Sequence, residues 1–143
     1  MRIEFGVQGD AAETLRELAK GRLANARREM VRAAMVEALL QTIRRNPVDT
    51  GRSRAAWASS LEELGGTLPA GWEGPHPSAI DEGRRLGQLK RHESASSSEM
   101  QAVSEVSYLP KLEYGTSRMA PFAMVRSSLA MIAGRLREMF HLS

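Results

Sequence analysis

No proline occurs in this 143-residue chain before Pro47, and the stretch leading to it is rich in Ala, Leu, Arg, Glu and Met, the strong helix formers. Asp10 stands where an N-cap belongs, with Glu13 three residues on in the capping-box position. Pro47 sets the other end, because it biases Asn46 away from the helical region. A helix over 10–45 would be about 54 Å long, well beyond the roughly 30 Å width of a small domain. The remainder of the chain must therefore be laid along it. Leu15, Leu18, Leu23, Ala26, Met30, Ala33, Val36, Leu40 and Ile43 trace a broad apolar stripe on this helix. Gly21, followed by Asn25, makes residues 20–25 the expected place for a kink or break.

The segments flanking this helix alternate or turn. In 2–8, Ile3, Phe5 and Val7 point one way, the pattern of a half-buried strand. After the helix, Asp49 and Gly51 predict a turn, and Ala55, Trp57, Ser59 and Leu61 then alternate as a strand with Trp57 in the core. Residues 64–78 hold four glycines and three prolines and read as an irregular loop. Ser78 is placed to cap a short helix over 79–92 anchored by Ile80, Leu86 and Leu89. The serine-rich run 94–98 reads as a connector, and 100–108 alternates again as a strand. Pro110 suits a turn or the first turn of a short helix that Gly115 would close. Pro121 is expected to open the final helix, in which Phe122, Val125, Leu129, Ile132, Leu136 and Met139 recur at helical spacing. These elements predict an α+β fold of one domain over 1–143. In it a small antiparallel sheet packs with a long N-terminal and a C-terminal helix.

Composition narrows the chemistry. Cysteine is absent, which excludes disulfides, thiol nucleophiles and thiolate metal sites. The three histidines, His76, His92 and His141, are too scattered for a zinc cluster. No apolar run approaches the roughly 20 residues of a membrane span, and the first residues lack the apolar block of a secretory signal. The serines fit neither a G-x-S-x-G elbow nor an S-x-x-K spacing, and Gly65-Gly66 is not followed by the Lys-Ser/Thr of a phosphate loop. Glu62, Glu63, Asp81 and Glu82 read as solvated surface and helix-start acids, and His92 in Lys90-Arg91-His92 as part of a solvated face. The chain is expected to be no enzyme and to need no cofactor or metal.

Of 20 basic residues, all but Lys20, Lys90 and Lys111 are arginine, and the formal net charge is +3. That charge is too small to mark a nucleic-acid module. Pairs such as Arg27-Arg28, Arg44-Arg45 and Arg84-Arg85 sit near acids, as salt-bridged helix faces do. Arginine is also the residue favoured at subunit interfaces. Trp72, in the Gly/Pro loop, admits two readings: folding back onto the domain, or anchoring a neighbouring subunit.

Two segments carry a motif. Residues 47–57 read P-V-D-T-G-R-S-R-A-A-W, directly after the long helix, and 108–122 read Y-L-P-K-L-E-Y-G-T-S-R-M-A-P-F, directly before the last. In this order they resemble the small tail-component proteins of long-tailed bacteriophages, the tail-completion, neck or head–tail joining proteins. The matching residues are Pro47, Val48, Asp49, Thr50, Gly51 and Arg54, then Tyr108, Glu113, Gly115, Thr116, Ser117, Pro121 and Phe122. Ser53 and Ala56-Trp57 depart from the family pattern, and 62–99 is longer than the expected hairpin. The residues themselves suggest structural roles. Asp49 can accept from the amides of its own turn and Gly51 can supply a positive φ. Glu113 can bond backbone amides or pair with an arginine, and Phe122 is expected to key the last helix into the sheet.

The resemblance implies a virion protein of the neck, made in the host cytoplasm, that forms a ring, in the family a hexamer, through which DNA passes. It implies neighbours among head-completion or connector proteins and the tail tube or terminator, non-specific contact with DNA, and no membrane. A tail terminator capping the tube is the nearest alternative. A small basic DNA-binding accessory protein is a more distant one. The 62–99 insert, with Trp72, Arg84, Arg85, Lys90 and Arg91, is expected to form an arm that contacts an adjacent subunit or another ring.

Overall fold

A computed structural model describes residues 1–8 and 13–139. In chain order the elements are β1 (Arg2–Gln8), α1 (Glu13–Arg45), α2 (Arg52–Glu63), α3 (Pro77–Arg85), β2 (Gly87–Glu93), β3 (Ser97–Ser104), α4 (Leu109–Tyr114) and α5 (Met124–Met139). The fold is α+β. β3 is the central strand, with β1 and β2 antiparallel on either side. Its side chains alternate, Met100 and Ala102 buried and Gln101 and Val103 partly exposed, because one face meets the helices and the other meets solvent. Ile3, Ala102 and Leu89 share a row on the helix-covered face. α1 crosses β1 and β3, α2 crosses β2 and β3, and α5 lies along α1. Trp57, Met35, Leu39, Ile43, Leu61 and Met124 are fully buried where these layers meet.

α1 runs unbroken through 20–25 for 33 residues, about 50 Å. Its buried face differs from the expected stripe. Val31, Ala34, Met35, Ala38, Leu39, Thr42 and Ile43 are buried, while Ala26 and Ala33 are exposed. An Ala- and Leu-rich helix offers adjoining apolar stripes, and contact with α2 and the sheet selects one of them. Asp10, expected as the N-cap, lies outside the described residues. So do the side chains of Glu13, Leu15, Leu18, Leu23, Leu136 and Met139, and His141 entirely.

The expected strand at 55–61 is helix α2. Ala55, Ala56, Trp57, Ala58, Ser60 and Leu61 are all buried, so the alternation of Ala55, Trp57, Ser59 and Leu61 is not a solvent boundary. The element is enclosed by α1, α3 and the sheet, and its alanines favour helix. The expected helix over 79–92 splits. α3 starts at Pro77, ahead of Ser78, and ends at Arg85, and 87–93 is edge strand β2. Gly87 makes the strand possible, since a Cβ there would collide with the Ala56 carbonyl. The serine connector is a hairpin turn, with Ser94 Oγ accepting from the amides of Ser96 and Ser97. The strand expected at 100–108 is shifted to 97–104, and the last helix begins at Met124, three residues after Pro121.

The segment 62–99 is not a loop arm. It contributes α3, β2 and the start of β3, and it buttresses the turn before α2, where Gly74 lies so close to Gly51 that a Cβ on Gly51 would sit 2.8 Å from the Gly74 nitrogen.

Candidate functional site

The two motif segments form two walls of one open groove. The first wall is the passage from α1 to α2. Asn46 closes α1, and its side chain accepts from Ser53 Oγ at 2.9 Å while its carbonyl accepts from Arg54 Nε at 2.7 Å. These bonds fold α2 back against the end of α1 and leave Pro47, Val48 and Asp49 facing outward. Burial lowers the pKa of the Arg54 guanidinium from its ordinary value. Gly51 takes φ 94° as the residue preceding α2, a left-handed conformation that glycine adopts without strain. Asp49 accepts no hydrogen bond from the turn among the described residues. Thr50 does so instead, with Arg52 N 3.4 Å from its Oγ1.

The second wall is the strap between α4 and α5. Tyr108 precedes α4, Pro110 sits in its first turn, and Gly115 follows it at φ 77°. Thr116 and Met119 exchange backbone hydrogen bonds across a tight turn. The strap is tied to α4 by Phe122 N to Leu112 O at 2.9 Å and Ala123 N to Glu113 O at 3.2 Å.

Glu113 holds this wall together. Its side chain is fully buried, and its two oxygens accept from Val125 N and Arg126 N at 2.9 Å each, the first-turn amides of α5. Arg126 Nε donates to the same carboxylate at 3.1 Å, and its Nη2 donates to the Glu113 carbonyl at 2.9 Å. The Arg126 guanidinium also lies over the Tyr114 ring, 4.7 Å from its centre. A carboxylate from α4 thus caps α5, compensating both its free amides and its dipole.

Between the walls lies a cavity of about 400 Å³, lined by 47–53 on one side and by Tyr108, Leu112, Met119 and Phe122 on the other. Phe122 is 46% exposed and lines the groove. It does not key α5 into the sheet, since the Gly115–Ala123 strap carries it outward and Met124 and Val125 fill the core instead. Val48 is exposed on the opposite wall. These two and Tyr114 are the exposed large apolar side chains of the described surface.

The structure brings Asp49, Thr50, Gly51, Tyr108 and Phe122 to the groove. Arg54 and Glu113 brace it from behind, and Gly115, Thr116 and Pro121 shape the strap. Residues that brace or line it without having been singled out in the sequence include Asn46, Arg126, Arg52, Leu112 and Met119. Arg126 carried a usable signal, a cation in the first turn of a helix where a carboxylate is more usual.

The residues expected in an arm lie elsewhere. Trp72 is buried against its own chain, with the Arg84 guanidinium 5.1 Å above its ring. Arg84 also binds Glu62, whose carboxyl its hydrogen bond holds below the ordinary range. Arg85 is exposed at the end of α3, and Lys90 and Arg91 are exposed on β2, not on a helix. Much of the arginine excess is spent within the chain, in pairs such as Arg52–Glu82 at 2.8 Å and Arg135–Glu37 at 2.8 Å. Among the described residues no group of three His, Asp or Glu is placed to hold a metal, and no helix is long and apolar enough to cross a membrane. No protein-family model, no curated protein and no solved structure matches the chain.

Proposed function

We propose that this chain is a structural virion protein of a tailed phage that assembles with copies of itself into a ring at the neck, joining head to tail around the path of the DNA. One observation carries the reading. The two segments that resemble the phage tail-component motifs, 47–57 and 108–122, meet across a single groove and present Val48 and Phe122 at its surface. Apolar side chains left outside a core at an open cleft suit contact with another protein. The motif residues behind them are occupied in holding backbone, as Glu113 is with α5 and Arg54 with Asn46. The groove offers a shape, supported from behind, and that is what an assembly protein needs.

The decisive experiment is removal of the gene from a producing phage, followed by electron microscopy of the products. Filled heads and finished tails that remain separate are the expected outcome, and the purified protein added back should join them. Tails of uncontrolled length would place the protein at the terminator position instead. Normal particles would overturn the proposal.

A further inference from the structure

The sheet ends in two unpaired edges. β3 occupies the centre, so the outer backbone rows of β1 and β2 hydrogen-bond to nothing among the described residues. Among the described residues the helices pack on one face of the sheet and no strand pairs with either edge. Each edge strand is seven residues long, enough to template pairing with another strand. Both run antiparallel to β3, and so parallel to one another.

We infer that copies of this chain join by parallel pairing of β1 of one copy with β2 of the next, continuing the sheet from subunit to subunit. This rests on the ring reading above and names the contact that builds the ring. Charge selects the pairing. β2 carries Lys90, Arg91 and His92 in succession, all exposed, and two β2 edges brought together would oppose like charges. β1 offers Glu4, on the solvent face of the sheet. Glu4, Gln101 and Lys90 share one row across the sheet, so extending that row into the next copy sets Glu4 beside Lys90. In the adjoining row Ile3 then falls beside Leu89 on the helix-covered face. A slip of one residue would turn Ile3 to the solvent face. A slip of two in one direction would set Arg2 beside Lys90. Head-to-tail pairing also uses both edges of every copy, so a closed ring leaves no strand edge exposed. A β1–β1 dimer would leave β2 open.

The chain has no cysteine, which makes disulfide trapping clean. In one copy, positions 4 and 90 are separated by β3, two strand spacings or about 10 Å. That is too far for an internal disulfide. The full-length double variant Glu4→Cys, Lys90→Cys is expected to give, on mild oxidation, a ladder of covalent multimers on a non-reducing gel. Either single variant should give none. Without cysteines, Glu4→Lys should weaken the multimer about tenfold by light scattering, and added Lys90→Glu should restore it. A multimer that forms with no disulfide between positions 4 and 90 overturns this contact and leaves the ring reading standing. Covalent dimers of Glu4→Cys alone overturn it in favour of β1–β1 pairing. A protein that stays monomeric at every concentration overturns both.

Discussion

At the scale of single residues, Glu113 shows how a buried charge is made affordable. Its carboxylate has no solvent exposure, yet both oxygens are hydrogen-bonded, to the amides of Val125 and Arg126 and to Arg126 Nε. Hydrogen bonds to an ionised acceptor are worth roughly 1.5–3 kcal/mol each, and losing a helix cap alone costs about 1 kcal/mol. Glu113→Ala is therefore expected to destabilise the protein by about 2–4 kcal/mol, read as a lower urea midpoint with unchanged slope. Glu113→Gln keeps one acceptor and should lose about half as much. Arg126→Ala should cost no more than about 1 kcal/mol, because its side chain is 52% exposed, water can take the place of the guanidinium, and the carboxylate keeps the two backbone amides of α5. If the arginine variant proves the worse of the two, the ion pair and not the helix cap holds the strap.

At the scale of elements, what could be read from the sequence depended on whether the determinants were local. β1 alternates, Pro47 stops α1, and Gly115 closes α4 with a positive φ, each by chemistry confined to a few neighbouring residues. α2 and β2 were misread because their surroundings decide them. Ala56 and Ala58 are buried by α1, α3 and the sheet, which no window of sequence contains. Lys90-Arg91-His92 belongs to a strand whose exposed edge tolerates charge in place of alternation. The groove was legible in part: its walls lie within the two motifs, and Arg126 shows as a cation in a first helical turn, whereas Asn46 acts through contacts that only the folded chain reveals.

The packing of α3 on α2 gives a pH prediction. Arg84 holds the Glu62 carboxyl below its ordinary 4.5, so the pair's contribution is complete above that pH and is lost as the pH falls through the lowered value. Since the Glu62 side chain is 44% exposed, the effect is small. Glu62→Gln should match the parent within about 1 kcal/mol at neutrality and show a shallower loss of stability in acid. Urea melts from pH 7 to 3 would reveal this as convergence of the two curves, and a constant offset would exclude it.

At the scale of the whole molecule, the structure separates side chains left exposed at the groove, to which the proposed function assigns contact with another protein, from those that fold the chain. Val48 and Phe122 are exposed, so replacing both with serine should change stability by no more than about 0.5 kcal/mol each. On the proposed neck function, that variant should nevertheless leave heads and tails unjoined. Removal of residues 65–98 is the opposite case. An appended arm could be cut away and leave a folded protein. Here the cut takes α3, all of β2 and the first residues of β3, together with Trp72 and the Gly74 that presses on Gly51. It uncovers the outer side of α2 and leaves β3 paired only with β1, and a two-stranded sheet is marginal in water. The expected product has no cooperative thermal transition, weak near-ultraviolet circular dichroism and a tendency to aggregate. A soluble variant with a sharp melt would show instead that α1, α2 and α5 hold the core alone and that 62–99 is an appendage after all.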